Sequence, residues 1–235
     1  MQSQNIVIGR RYNGPPDSAN GGYTAGLLAR ELNGPVQVRL VSPPPLETPL
    51  RLEADDLTAS LFHDDALIAT AAVCQLESST PQCPDKQSIL NAKGSYPNSH
   101  QHQLASCFVC GPARDPSDGL AIFPVAFDDY GVGSLWRPNQ SVQDEAGQVP
   151  TEILWAALDC PGYFAHRQTE RLMLLGSMSA EVFIRPKADQ TFTVCGWQTK
   201  VDGRKFYSTT AIFDQQGLLC GKSEQIWFTL RTDNS

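Results

Sequence analysis

The segment Asn20-Gly21-Gly22-Tyr23 has the residue types of a helix start that can bind an oxyanion. The first N–H groups of a helix have no partner within the helix, and they lie at its positive end. Glycine has no side chain, so a substrate carbonyl oxygen can approach the backbone closely. We therefore identify the Gly22 N–H as a candidate oxyanion donor. The alternative is that Gly21 and Gly22 only permit close packing where a loop enters a helix, and both interpretations stay open.

Asp159 is the candidate carboxylate that would activate water or attack a carbonyl carbon directly. It comes eight residues after Thr151, at the predicted far end of an apolar helix, where the helix dipole disfavours a negative charge. The alternative is that Asp159 caps a new helical turn begun by Cys160-Pro161. The two interpretations are compatible. Glu31, at the end of the first helix, is interpreted as a solvated surface residue.

Cysteine and histidine residues form a second group that can do chemistry. Cys107-Phe108-Val109-Cys110 is a Cys-x-x-Cys motif, and Cys83, His100 and His102 precede it. Structural zinc needs four ligands, and neither a second Cys-x-x-Cys nor a well-spaced histidine pair is present, so we expect no metal and a turn with packed thiols. His166 is not predicted to be catalytic, because Arg167, Gln168 and Glu170 around it indicate an exposed segment.

The elements that must position these residues occur twice in the same order. The first copy has an apolar helix from Gly22 to about Leu32, a strand at 36–41 and Pro43, and the second has a helix near 151–158, a strand at 181–184 and Pro186. Further strands are predicted at 5–8, 50–53 and 67–74, and at 120–127, 133–136, 178–184, 191–198, 205–213 and 218–230. The polar stretch 77–106 is predicted to be a linker, which divides the chain into 1–76, 77–106 and 107–235.

Composition restricts the class of protein. The chain has 235 residues, 41% of them apolar, and a formal net charge of −7, which excludes the basic surface that nucleic acid binding requires. The pairs Arg10-Arg11 and Arg204-Lys205 remain available for a single phosphorylated ligand. No signal-peptide or membrane-spanning pattern is found, so we expect a cytoplasmic protein with no membrane partner. Seven cysteines in apolar runs favour buried thiols over disulfides.

One helix beside a run of antiparallel strands buries its apolar face in the concave side of the sheet, which predicts an α+β double hotdog with two repeats. The residues resemble the hotdog-fold thioesterase superfamily, and their arrangement is similar to its double-hotdog acyl-CoA thioesterases. Asn20-Gly21-Gly22-Tyr23 is similar to the family's His-Gly-Gly or Phe-Gly-Gly helix opening, and the segment from Ala156 to Gly162 is similar to its later Leu-x-Asp helix.

The resemblance implies a composite site for an acyl-CoA or related thioester, with no cofactor. Gly22 and Asp159 would come from different halves, and Thr199 and Glu224 would position water. The family's strand triad falls near Met178, Thr199 and Glu224 here, and only its hydroxyl is clearly kept. The residues expected to bind substrate are Asn20, Gly21, Tyr23, Gly162 and Tyr163. A homodimer of double hotdogs is also expected. The alternatives are a non-catalytic acyl-CoA binding protein and a structural dimerisation module.

Overall fold

A computed structural model of the chain describes residues 2–79, 81–92, 96–97, 99–166 and 171–229. The helices in this part are α1 (Gly21–Ala29), α2 (Lys86–Asn91) and α3 (Thr151–Phe164). The strands of the first half are β1 (Gln2–Val7), β2 (Val36–Leu40), β3 (Pro49–Ala54), β4 (Thr58–His63) and β5 (Ala66–Val73). Those of the second half are β6 (Val125–Ala126), β7 (Gly131–Trp136), β8 (Met173–Val182), β9 (Phe192–Asp202), β10 (Lys205–Phe213) and β11 (Leu219–Thr229).

All eleven of these strands form one antiparallel sheet, in the order β1-β3-β4-β5-β2-β8-β11-β10-β9-β7-β6. The strand order on one side of the β2–β8 pair mirrors the order on the other side. The correspondence, in chain order, is β1 with β7, α1 with α3, β2 with β8, β3 with β9, β4 with β10 and β5 with β11. The additional strand β6 pairs only with β7 at the far edge. Apart from β6, each half is therefore one central helix wrapped by five strands, which confirms the predicted α+β double-hotdog fold.

The two halves join along β2 and β8, the pair of corresponding strands at the centre of the sheet. Val36 pairs with Ala180, and Val38 pairs with Met178, so each half covers a strand edge of the other. Beneath the sheet, α1 and α3 run antiparallel, because Gly22 faces Trp155 and Asp159 whereas Gly26 faces Glu152. The sheet and the helix pair thus both cross the boundary between the halves.

The two helices approach closely because α1 has glycine where they touch. A Cβ atom on Gly22 would lie 2.5 Å from the Asp159 Cβ, and one on Gly26 would lie 2.4 Å from the Glu152 Cα. Neither distance is possible for real side chains, so the packing interpretation of the glycine at 22 is correct. The packing interpretation does not exclude a functional role for Gly22, because the same close approach brings Asp159 to the backbone of α1.

Several element boundaries differ from the sequence predictions. Strand β4 was not predicted, and only Val125–Ala126 of the expected strand 120–127 is extended. Helix α3 continues through Pro161 to Phe164, so Asp159 is the ninth of its fourteen residues. The interpretation of Asp159 as the cap of a new turn is therefore wrong. The last residue of the predicted strand 218–230 lies outside the described residues.

The stretch 77–106 contains more structure than the linker interpretation requires. Helix α2 lies in it, and Ile89 of this helix packs on Val125 and Cys195. Before α2, the chain crosses the outer face of the second half, where the Ser78 N–H donates to Glu224 and the Ser78 carbonyl accepts from Lys222. The division of the chain at 76 and 106 stays a prediction. None of the described helices is long and apolar enough to span a membrane.

Candidate active site

Asp159 lies between the two central helices with one carboxylate oxygen held and the other unpaired. Its side chain belongs to α3 and is 3% exposed. The Oδ2 atom accepts hydrogen bonds from Asn20 Nδ2 at 2.8 Å and from the Gly22 N–H at 3.0 Å. The buried Oδ1 atom has no hydrogen-bond partner among the described residues. One half of the protein thus supplies the carboxylate, and the other half orients it.

The surroundings of Asp159 raise the pKa of its carboxyl group towards neutral pH. Burial raises the pKa of this carboxyl to about 7, and the neighbouring Cys107 acts in the same direction. The hydrogen bonds from Gly22 and Asn20 favour the charged form and limit the rise in pKa. Perturbed carboxyl groups of this kind cluster at functional sites, although structural networks also produce them.

The first turn of α1 has one N–H group left for a ligand. Asn20 caps the helix, since its Oδ1 accepts from the Tyr23 N–H at 2.9 Å. The Gly22 N–H, predicted to be the oxyanion donor, instead donates to Asp159, because the absence of a Cβ lets α3 come within reach. The Gly21 N–H donates to no group of the described residues, and Gly21 lines a cavity. Gly21, and not the predicted Gly22, is therefore the residue of this turn whose N–H remains available to a ligand in the cavity.

A cavity of about 600 Å³ opens beside Asp159. Asn20, Gly21, Asp159 and Tyr163 lie on its wall. Much of the remaining wall is apolar and comes from 172–176 around the start of β8, from Trp227 and Phe228 of β11 and from the proline corner at 43–44. The volume falls within the range of small-molecule sites, and an apolar wall with a few polar groups is their usual composition.

Comparisons with solved structures identify this architecture. A hot dog fold protein from Alicyclobacillus acidocaldarius has a TM-score of 0.65 at 12% identity, covering 98% of this chain and 94% of its own. The acyl-CoA thioesterase II TesB2 from Mycobacterium marinum has a TM-score of 0.60 at 10% identity, covering 99% and 94%. A TesB protein from Mycobacterium avium subsp. paratuberculosis has a TM-score of 0.58 at 13% identity, covering 91% and 88%.

The chain is a double-hotdog protein. At these identities the likeness establishes the fold and leaves the chemistry to be argued from the site. Searches against protein-family models and against curated proteins found no match.

Two residues expected to bind substrate are not on the cavity wall of this double hotdog. Tyr23 stacks on Tyr12 with ring centroids 4.0 Å apart and packs edge-on against Phe108, as a core residue. Gly162 faces the sheet instead, and a Cβ there would lie 1.7 Å from the Gln225 Oε1 atom. Tyr163 does line the cavity, with its hydroxyl donating to Gln103 at 2.6 Å.

The two residues predicted to position water also lie away from the cavity wall. Thr199 is exposed on β9, and Glu224 lies on the outer face of β11, where it accepts from Ser78. Side chains alternate between the two faces of a strand, so a choice one residue away reverses the face. The residue that does reach α3 is Gln225, whose Nε2 donates to the Leu158 carbonyl at 2.7 Å. Gln225 lies on the same face of β11 as the buried Ser223 and Trp227. The recurrence of this face at every second residue is the sequence signal that would have found it.

The interpretation of His166 as part of an exposed segment is wrong for the histidine itself. His166 is 3% exposed and packs edge-on against Phe206, and neither ring nitrogen meets a hydrogen-bond partner among the described residues. Burial lowers its pKa to about 4. It does not line the cavity beside Asp159 but a neighbouring pocket, and Arg167, Gln168 and Glu170 lie outside the described residues. Glu31 is only partly exposed and accepts from Gln4 and Arg30.

The Cys-x-x-Cys motif adjoins the cavity. Cys107, Cys110 and the helix residue Cys160 are buried, and their three sulfur atoms lie within 4.8 Å of one another. Hydrogen bonds from the Cys110 and Cys160 thiols, and from the backbone N–H groups of Cys110 and Val109, hold the pKa of Cys107 well below its usual value. Cys83 and His102 are not part of this group: both His102 ring nitrogens already bond, to Tyr96 and Leu104.

The corresponding position in the other half has no equivalent site. Gly22 and Asp159 are the second and ninth residues of their helices, and the residues at those places in the partner helices are Glu152 and Ala29. Glu152 forms an ion pair with Arg30 at 3.2 Å across the helix contact. Within the part of the chain that the structure describes, the Asp159 arrangement therefore occurs once.

Proposed function

We propose that this protein is a thioester hydrolase of the acyl-CoA thioesterase type, with Asp159 as its catalytic carboxylate. The observation that carries the proposal is the Asp159 carboxylate itself, with Oδ2 fixed by two donors of the opposing helix and Oδ1 unpaired beside a largely apolar cavity. A buried carboxylate oxygen without a partner is costly for stability, which favours a functional reason for its retention.

The geometry supports a simple sequence of bond changes. Asp159 Oδ1 takes a proton from a water molecule whose oxygen attacks the thioester carbonyl carbon, and the Gly21 N–H donates to the developing oxyanion. The carbon–sulfur bond then breaks, and the proton passes from Asp159 to the departing thiolate. Direct attack by Asp159 through an acyl anhydride is the other route. In a single turnover in ¹⁸O-labelled water, label in the Asp159 carboxyl group arises only by the anhydride route, when water attacks the carbonyl carbon of Asp159.

The cavity and its surroundings favour an acyl thioester with a charged carrier. The apolar strand residues Leu174, Leu175 and Phe228 can pack against an acyl group. Arg204, part of the pair expected to be available for a phosphorylated ligand, lines both this cavity and a neighbouring pocket that also includes Arg171. A coenzyme A phosphate is the chemistry that arginines at such an entrance would bind.

The test is thiol release from short, medium and aryl acyl-CoAs by wild type and by Asp159→Asn. The amide cannot accept the proton, so we expect turnover to fall by about 10²-fold or more while the fold is retained. Glu152→Gln is the matched control, because it makes the same carboxylate-to-amide change on the same helix away from the cavity wall. Its turnover should stay close to wild type. Equal turnover of Asp159→Asn and wild type would contradict the site assignment.

A non-catalytic acyl-CoA binding protein is the second candidate. Two observations favour it: the Gly22 N–H is occupied by Asp159, and Thr199 and Glu224, two of the three positions matched to the family's triad, do not line the cavity. Calorimetric titration with acyl-CoAs separates the two. Binding of an acyl-CoA that is released intact by wild type would support this second candidate and contradict hydrolysis.

A further inference from the structure

Three thiols from two distant parts of the chain meet at the cavity wall. Cys107 and Cys110 come from the turn that follows 99–106, and Cys160 comes from α3 directly after Asp159. The Cys107 and Cys160 sulfur atoms are 3.9 Å apart, and all three sulfurs lie within 4.8 Å of one another. Three thiolates on a tetrahedral zinc ion, with Zn–S bonds of about 2.3 Å, have sulfurs separated by about 3.8 Å, so little movement is needed to reach that geometry.

The turn that carries Cys107 and Cys110 is built rigidly. The Gly111 N–H donates to the Cys107 carbonyl at 2.9 Å, and a Cβ on Gly111 would lie 2.6 Å from the Cys107 backbone nitrogen. The turn is also anchored from outside, since the Phe108 N–H donates to Asn13 and the Phe108 carbonyl accepts from Leu120. Only glycine fits at 111, and the two cysteines are therefore held before any ligand binds.

One polar side chain lies beside the Cys107 sulfur. Asn20 Nδ2 is 4.0 Å from this sulfur and can donate to it. Such a donor spreads the negative charge of a coordinated sulfur and fixes its orientation.

We propose that Cys107, Cys110 and Cys160 bind a zinc ion whose fourth coordination position opens into the cavity. All three residues line the cavity, and no other histidine, cysteine or carboxylate of the described residues joins their group. A site with three protein ligands and one open position takes water or a ligand from the cavity. Zinc binds sulfur well, so a small thiol is the ligand expected there.

This proposal departs from the expectation of no metal, which rested on the absence of a second Cys-x-x-Cys and of a well-spaced histidine pair. The third ligand comes from a helix fifty residues away, so spacing along the chain does not reveal it. The zinc site is independent of the proposed thioesterase activity, because it is measured by metal content without turnover.

The experiment is elemental analysis of the full chain, expressed with zinc and purified under reducing conditions without chelator. We expect about one zinc per chain in wild type and loss of most of it in Cys160→Ser and Cys107→Ser. Cys195→Ser is the matched control, because Cys195 is equally buried but lies with Ile89 and Val125 on the outer side of the sheet. It should keep its zinc. Wild type with no more zinc than Cys160→Ser, or wild type isolated with a Cys107–Cys110 disulfide and no zinc, would overturn the proposal.

Cobalt substitution tests both the ligand set and the open position. Wild type loaded with Co²⁺ should show sulfur-to-cobalt charge transfer and the visible bands of a tetrahedral site. These bands should weaken in Cys160→Ser. Because the wild-type spectrum itself reports the ligand set, the test does not depend on how well that variant folds. Adding N-acetylcysteamine, a small thiol, should change the visible bands, whereas its alcohol analogue should not. Unchanged bands with the thiol would overturn the open position, and an octahedral cobalt spectrum would overturn the three-thiolate site.

Discussion

Asn20 is the single side chain on which most of the candidate site converges. Its Oδ1 caps α1 through the Tyr23 N–H, while its Nδ2 holds Asp159 at 2.8 Å and lies 4.0 Å from the Cys107 sulfur. The amide is suited to this position because it has an acceptor and donors in one plane. An aspartate would cap the helix equally well but could not donate to Asp159.

Substitution at Asn20 separates its two roles. Asn20→Ser keeps a capping oxygen and Asn20→Ala does not, whereas both remove the donor to Asp159. We expect both variants to lower kcat about tenfold or more, because the carboxylate loses its orientation. Only the alanine variant should also lose the cap, which is worth about 1 kcal/mol of unfolding free energy. Initial rates and denaturant melts measure the two effects. Serine restoring full turnover would show that capping alone matters.

For individual residues, the sequence reveals those that are marked by a pattern within a short stretch of chain. A polar cap followed by two glycines is visible in a short window, so Asn20, Gly21 and Gly22 were found. Glu224 lies one position from Gln225, and in a strand this step exchanges the inner face for the outer one, so the prediction placed Glu224 on the wrong face for a contact with α3. Cys160 was not connected with Cys107, because only the folded chain brings α3 to the Cys-x-x-Cys turn.

Among the elements, the contact between α1 and α3 decides where the site can form. Gly26 faces Glu152 one turn along from the contact between Gly22 and Asp159. Helices packed this closely leave no room for a methyl group, so the spacing of the two glycines sets the distance between the helix axes.

Gly26→Ala should therefore destabilise the protein although alanine is the better helix former. A Cβ at 2.4 Å from the Glu152 Cα would meet backbone, which cannot rotate away. We expect a loss of about 1–3 kcal/mol in unfolding free energy, larger than the gain in helix propensity. Gly9→Ala is the control, since the nearest atom to a Cβ there is the flexible end of Glu47 at 3.7 Å. Equal denaturant midpoints for Gly26→Ala and wild type would contradict this account of the helix contact.

The length of α3 shows why helix ends are harder to predict than helix starts. Pro161 lacks the N–H for the expected bond to Ala157 and usually breaks a helix. Strand residues contact α3 around this proline: Gln225 donates to the Leu158 carbonyl, and Gly196 leaves space for the Pro161 carbonyl, to which a Cβ would come within 2.3 Å. These contacts come from strands far along the chain, so no local pattern reports them.

For the molecule as a whole, the pairing of β2 with β8 joins the two halves into one sheet. We therefore expect both halves to fold as one cooperative unit. The four tryptophans all lie in the second half, at 136, 155, 197 and 227, and the one at 155 lies at the contact with α1 of the first half. Leu61 of β4 is fully buried in the first half. If the shared sheet and helix pair couple the halves, damage at Leu61 must appear in the tryptophan signal.

Leu61→Ala should lower the tryptophan-fluorescence midpoint as much as the circular dichroism midpoint. The cavity left by the missing side chain should cost about 2–5 kcal/mol, felt by the whole cooperative unit. Val201→Ala, at a 47% exposed position in the second half, should change both midpoints little. A fluorescence transition that stays at the wild-type midpoint while the dichroism curve divides in two would mean that the halves unfold independently.

The Arg30–Glu152 ion pair has a consequence for how this architecture can diversify. Two identical chains paired about an exact twofold axis must carry every substitution in both of their sites. A duplicated pair within one chain is free of that constraint, so here one helix contact keeps a buried carboxylate with one unpaired oxygen while its counterpart has an ion pair in its place. The proposed site therefore implies a stoichiometry of one ligand for each chain.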